Sequence, residues 1–353
     1  MNKLSEKGIF ISKSEAGMLQ AVAVMLMVWH HLFGFPDRIA VPYVLVANRL
    51  FYIETFIADF GKICIAVFAF VSGYGMRKKT VSSGRDTGIL KNYQAVGLRL
   101  IKFFSRYWVV FVVFIPLGSL LKVYPLDWNR FLWGVAGKGA GYNGEWWYVS
   151  YYVRFCLLFP IMTLLTDVIV KRMPILIHIL MVTAVVMVFF LPKNMSQYAF
   201  LCVLLCFAEG MYFVDSKIFE ILYRPFSNKS WLRLSAGMIL FGAVFILRFK
   251  GVPDYLLVAA FVFSIMLICK TEFLMPWLRP ALLFVGKYST YIWLTHTFFG
   301  YYYFQEITFA PRYSWVIFLW CMVLSVASGM VLEGLLTLIT KGVKRFLIFV
   351  RKS

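Results

Sequence analysis

Only four histidines occur in the 353 residues, and two of them are adjacent. The stretch VMLMVWHHLFGF, Val24 to Phe35, sets His30 and His31 near the end of an otherwise apolar run, and His296 closes a similar run, YIWLTH. Imidazole titrates near neutrality, so it can take up a proton from a hydroxyl, return it, or carry an acyl group for a moment. Ionisable groups at membrane depth are costly and mark a cavity, a partner or a substrate path. The competing account for each is a structural histidine hydrogen-bonded between helices. Being adjacent, His30 and His31 point about 100° apart on a helix. They therefore serve different roles, one facing a cavity while the other orients it or packs.

The elements that must hold these rings are membrane helices. The chain is 61% hydrophobic and 15% charged, with a mean hydropathy of +0.78, far above a soluble domain. Apolar runs long enough to cross about 30 Å of hydrocarbon recur along it. They fall at 16–35, 60–76, 104–123, 146–166, 174–192, 197–214, 234–249, 254–270, 281–304 and 314–340. The expected fold class is all-α, a single polytopic membrane domain over 1–353 with about ten transmembrane helices. No internal repeat of the transporter kind is evident.

Charge placement orients the layout, because basic residues stay on the cytoplasmic side of short loops. With the N-terminus inside, most of the 36 Lys and Arg lie inside, notably Arg77, Lys78, Lys79, Arg85, Lys91, Arg99 and Lys102, and Lys341, Lys344, Arg345, Arg351 and Lys352. Arg38, Arg49, Lys122, Arg130, Lys138, Lys193, Arg248, Lys250 and Arg312 fall outside. Both termini are thus expected in the cytoplasm. The formal charge of +20 follows from this bias, so anionic lipid head groups or a phosphorylated carrier are the natural counter-ions and nucleic acid is not needed. In this orientation His31 and His296 each lie about 15 residues above the inner ends of parallel helices, at a similar depth. They could share one site.

Other polar groups invite two accounts each. In FAFVSGYGMRKK, Ser72-Gly73 is either a close-packing spot or a constriction beside a basic mouth opening at Arg77. Glu209 and Glu333 suit pairing with a basic partner, and Arg154 needs an anion, carbonyls or water. The glycine-rich GKGAGYNGEWW lacks Walker spacing and reads as an extracytoplasmic loop entering the fourth span through Trp146 and Trp147. All six cysteines fall in spans, so neither disulfides nor a metal site is expected.

Five patterns in order resemble the acyltransferase-three family of integral membrane acyltransferases, which modify surface polysaccharides, lipopolysaccharide or peptidoglycan. QAVAVMLMVWHH is similar to the family's Arg-(ten residues)-His opening, with Gln20 in place of the Arg and His31 at the essential histidine. FAFVSGYGMR is close to its FFxxSGY pattern, and RLIKFFSRYW to its Arg-rich entry to the third helix, with Ser105 where Pro is common. WYVSYYVRFCLLFP fits a Trp…Phe…Pro helix frame, with Tyr152 where a Glu is frequent, and VGKYSTYIWLTH resembles the Gly-Lys-x-Ser-x-x-Ile-Tyr-Leu-x-His signature, with Trp293 at the Tyr.

The resemblance implies acyl-CoA, most often acetyl-CoA, as donor and no permanently bound cofactor. It implies His31 as general base or transient acyl carrier, with His296 or His30 as orienter. The basic inner mouth fits from its own side: Ser72, Gly73, Tyr74, Arg77, Lys78, Arg99 and Lys102 are the expected acyl-CoA contacts. Trp147, Tyr152, Arg154 and Tyr291 are expected to line the acceptor cavity. Loop aromatics such as Trp128, Trp133, Tyr142, Trp146 and Tyr301 to Tyr303 would stack on a surface glycan or glycolipid, unless they form an interfacial belt. The expected setting is a bacterial plasma membrane, with membrane lipids as partners and a homo-oligomer compatible. The rival is a transporter or flippase of a polar metabolite or glycolipid.

Overall fold

The computed structural model describes residues 10–45, 53–84, 88–138, 141–273 and 275–352, with side chains as far as Arg345 apart from Met275. Arg49, Arg85, Gly139 and Ala140, and the side chains of Arg351 and Lys352, lie outside the described residues. Backbone polar groups in lipid must be satisfied within the segment, which leaves helices as the solution for an apolar chain of this kind. The α-helices are α1 (Lys13–Phe33), α2 (Ile53–Gly61), α3 (Cys64–Ser82), α4 (Gly88–Leu120), α5 (Trp128–Val135), α6 (Trp147–Arg172), α7 (Pro174–Phe190), α8 (Tyr198–Ser216), α9 (Ile218–Tyr223), α10 (Ser230–Phe249), α11 (Asp254–Cys269), α12 (Met275–Thr297), α13 (Gln305–Phe309) and α14 (Ser314–Lys352). Among the described residues no strand forms beyond an isolated bridge between Val44 and Tyr313.

Each of the ten expected spans coincides with a helix, and among the described residues seven segments are long and apolar enough to cross a membrane. The chain is an all-α polytopic membrane protein. Boundaries moved where hydropathy is silent about helix. The polar stretch from Arg77 to Lys102, which falls between the expected second and third spans, is mostly helical, because α3 runs on to Ser82 and α4 starts at Gly88. Lys, Arg and Gln are good helix formers, so a helix continues past the point where its apolar run ends. The second span likewise starts early, as α2 and α3 separated by a short turn at residues 62–63.

The residues group into two compact units. One comprises Met1–Leu26, Phe60–Ala95 and Arg154–Lys287. Its centre is α3 against α8, brought into close backbone approach by two glycines: a Cβ on Gly73 would collide with the Phe207 carbonyl, and one on Gly210 with that of Phe70. Small residues at such contacts let dispersion act over a long interface where lipid offers no hydrophobic drive. The other unit comprises Met27–Asp59, Val96–Val153 and Tyr288–Ser353. Aromatic packing dominates it: Phe114 stacks on Phe298, Tyr107 meets Trp146 edge-on, and Trp29 contacts Phe33, Trp315 and Phe318. Beyond Thr297, α12 widens into a π-helical turn, Phe298–Tyr302, and the three consecutive tyrosines Tyr301 to Tyr303 straddle its end.

Candidate functional site

The end of α1 and the end of α12 bring His31 and His296 together in the second unit. His31 Nδ1 lies 2.7 Å from His296 Nε2, across 265 residues of sequence. His296 is buried, and its Nδ1 faces the carbonyls of Ile292 and Trp293 at 2.8 and 2.9 Å. Two carbonyls require a proton on Nδ1. A neutral His296 then offers the lone pair of Nε2, and His31 Nδ1 donates to it. The tautomers therefore run in one direction, and His31 Nε2 is the nitrogen left to do chemistry.

That nitrogen stands 3.2 Å from Oε2 of Glu145, with 11% and 14% of the two side chains exposed. Glu145 was read from the sequence as part of a glycine-rich loop, and its role here was missed. The residue sits in a short 3₁₀ turn, Gly144–Trp146, whose first N–H groups are capped from both sides. Asn143 Oδ1 accepts from the Glu145 N–H at 3.0 Å, and Tyr302 OH accepts from the Gly144 N–H at 2.9 Å. Asn143 is fully buried and donates through Nδ2 to Thr297 Oγ1 at 2.8 Å, so the turn is pinned beside His296. Trp146 fastens the other end by donating to the Leu294 carbonyl.

The Glu145 carboxylate is itself held. Tyr301 OH donates to Oε1 at 2.8 Å, and Arg38 Nη1 reaches the same oxygen at 3.2 Å. Burial works against the charge on Arg38, yet Tyr301 and Glu145 outweigh it and raise its pKa above the ordinary value. Gln305 grips the loop that bears this arginine, donating to the Arg38 carbonyl and accepting from the Ala40 N–H, both at 2.8 Å. An acid next to Trp146 and Trp147 at the mouth of the fourth span, in a stretch otherwise rich in Gly and aromatics, was the available signal for Glu145. An outside arginine just past the histidine pair, Arg38, was the signal for its partner.

His30 points elsewhere. Its Nδ1 faces the Ala58 carbonyl at 2.8 Å, and a Cβ on Gly34 would strike its ring. Its ring also lies 5.1 Å from those of His31 and Phe35.

Below the histidines in the same unit, α4 bears Arg99, Lys102 and Arg106 on successive turns. Arg99 Nε donates to Tyr152 OH at 2.7 Å, so two residues expected in different subsites meet. Arg106 Nε lies 3.4 Å from Glu333, which also accepts from Tyr291 OH at 2.7 Å. Lys102 is exposed. Phe103 and Trp293 stack on one another, with Tyr152 against Phe103 and Tyr148 edge-on to Trp293. Trp147 packs edge-on against Tyr148 and Tyr151. Trp146 and Tyr142 are buried and offer no open ring face to a sugar, contrary to the expectation for these two, whereas Trp128 and Trp133 of the same set are exposed.

The remaining expected residues lie in the first unit. Gly73 serves the helix contact described above. Ser72 is buried, and Tyr74 is buried with its OH accepting from the Ile11 N–H at 3.4 Å. Arg77 is fully buried rather than standing at an open basic mouth. Its Nε donates to Asp215 at 2.6 Å, and its Nη2 to Asp215 at 2.9 Å and Asp167 at 2.7 Å. Two carboxylates already balance its charge. Lys78 Nζ donates to the Ile11 carbonyl at 2.7 Å, and Arg154 is exposed with its guanidinium over Phe200.

Compared with curated proteins and with solved structures, the chain matches none. A family model described as an acyltransferase domain, acyltransferase family 3, matches residues 17–334, nearly the whole sequence and all of the histidine site. The chain that aligns His31, His296 and Glu145 within a membrane helix bundle thus belongs to acyltransferase family 3.

Proposed function

We propose that the protein is a membrane O-acyltransferase that moves an acyl group, acetyl in the simplest case, from cytoplasmic acyl-CoA to a hydroxyl of a cell-surface polysaccharide or glycolipid. The observation that carries this reading is the chain of contacts from the Ile292 and Trp293 carbonyls through His296 to His31. It directs one imidazole nitrogen, Nε2, outward from a buried scaffold. A structural histidine needs no such relay, whereas a general base needs its tautomer and ring orientation held.

In the step itself, His31 Nε2 takes the proton of the acceptor hydroxyl as the oxygen attacks the thioester carbonyl. A C–O bond forms, the tetrahedral intermediate collapses with loss of the C–S bond, and the imidazolium returns the proton to the CoA thiolate. Ester and free thiol result, with no proton left over. His296 is a positioning residue in this scheme.

The donor fits the α4 stripe. Arg106 is level with Tyr291 through Glu333; Arg99 lies seven residues back along α4 toward its start, and His296 five residues onward along α12. With both helices running outward, Arg99 and His296 are about 18 Å apart along the axes. A pantetheine arm spans roughly 15 to 20 Å when extended, so phosphates held at Arg99, Lys102 and Arg106 would deliver a thioester to His31. Arg77 and Lys78, already engaged within the first unit, are not used in this scheme.

The test is transfer in liposomes from radiolabelled acetyl-CoA, following both CoA thiol release and label on the acceptor. His31→Ala should lower turnover by about 10²- to 10⁴-fold, the usual worth of a general base. Full activity in that variant, or movement of a glycolipid across the bilayer without thiol release, overturns the reading.

A further inference from the structure

His31 Nε2 does not face the site alone. Glu145 Oε2 lies beside it at 3.2 Å, and both side chains keep an exposed edge. The other oxygen of Glu145 is occupied by Tyr301 and Arg38, and the other nitrogen of His31 by His296. Nε2 and Oε2 are thus two adjacent acceptors whose supporting groups fix their positions from behind.

In the resting site a lone pair on Nε2 would oppose a carboxylate oxygen at that distance, so one proton resides on the pair. For His31 to act as base, a ligand must replace this contact. The replacement must bring donors, because both atoms are acceptors once the shared proton has left for water. It must bring two of them, since a single donor would leave either the nitrogen or a carboxylate oxygen unpaired in a largely desolvated site. Hydroxyls on adjacent carbons present their oxygens about one hydrogen-bond length apart, which is the spacing of Nε2 and Oε2.

We propose that Glu145 is a specificity-determining residue that selects acceptors carrying a second hydroxyl next to the one acylated, a vicinal diol of a sugar ring. This rests on the assignment of His31 as base to an acceptor hydroxyl. One hydroxyl donates to Nε2 and becomes the nucleophile in the step already written. Its neighbour donates to Oε2 and remains unreacted, held by a charge-assisted bond from ground state to product. Arg38 and Tyr301 keep the carboxylate from turning away, and Arg38 is braced over the Phe35 ring at 4.1 Å. Tyr301→Phe should therefore blur the selection without removing it.

The experiment supplies acetyl-CoA to the protein in liposomes and compares octane-1,2-diol with octan-1-ol, and octyl glycopyranosides with their monodeoxy analogues. In the wild type the vicinal partner should raise kcat/KM by about 10- to 100-fold, the value of one hydrogen bond to a charged group. Glu145→Gln should cut that ratio below about threefold, with KM for acetyl-CoA unchanged, and Glu145→Asp should restore part of it. Equal use of diol and mono-ol by the wild type, transfer to none of these probes, or the same ratio in Glu145→Gln overturns the proposal. His31→Ala is run in parallel: undiminished transfer there defeats the base assignment instead, whereas a dead His31→Ala with an unchanged Glu145→Gln ratio defeats only the diol selection.

Discussion

Replacing Arg77 by Met removes a guanidinium and leaves a nearly isosteric apolar stem among α3, α6 and α8. Three charge-assisted hydrogen bonds disappear at once, two to Asp215 and one to Asp167. The Arg77 side chain is 0% exposed and that of Asp215 1%, so water cannot replace the lost partner at Asp215, while Asp167 at 12% recovers a little. Breaking a buried pair by removing one member costs about 3 to 5 kcal/mol, because the surviving charge stays desolvated. At a few degrees per kcal/mol this lowers the melting temperature by on the order of 10 °C. Thermal unfolding of detergent-purified protein, followed by loss of the monodisperse peak, measures it. The variant Arg77→Met with Asp167→Asn and Asp215→Asn should recover most of the loss, since neutral amides tolerate burial. If Arg77→Met melts like the wild type, and instead raises KM for acyl-CoA, the guanidinium serves a ligand and the ion-pair reasoning is wrong.

Gly73→Ala and Gly210→Ala should each destabilise by about 1 to 3 kcal/mol through overpacking, while Gly75→Ala, which meets nothing within 4 Å, serves as the neutral control in the same melting assay. His30→Gln should keep turnover within about tenfold of wild type, in contrast to His31→Ala, because its Nδ1 is turned to the Ala58 carbonyl and not to Glu145 or His296. Arg99→Ala and Lys102→Ala should raise KM for acyl-CoA by about tenfold each, more at low salt than at high, and leave kcat nearly unchanged; an unchanged KM removes the α4 stripe from donor binding. Asn143→Ala should lower kcat about tenfold, with a stability loss of about 1 kcal/mol, since it frees the Glu145 turn from its cap and from Thr297.

What was legible in the sequence was whatever acts locally. Apolar runs place helices because hydrocarbon thickness and backbone satisfaction leave no alternative. His31 and His296 stand out as titratable groups inside such runs, and counting residues from the inner ends puts them level. Helix ends were less legible, as at the start of α4, because Lys, Arg and Gln continue a helix that hydropathy no longer reports.

Composition and spacing by themselves determined a helical membrane protein with imidazoles at one depth and a strong basic bias. Only the tertiary structure decided which partners those groups have. Asp167 and Asp215 are 90 and 138 residues from Arg77, and Glu145 meets a histidine 114 positions away that nothing near it in the chain announces. Charge and hydrogen-bond pairing act through space at a few ångströms, and which residues come that close is set by how the helices and loops pack rather than by their own sequence. Arg77 was thereby turned from an open cation into a buried one, and Glu145 from a loop residue into the neighbour of His31 Nε2.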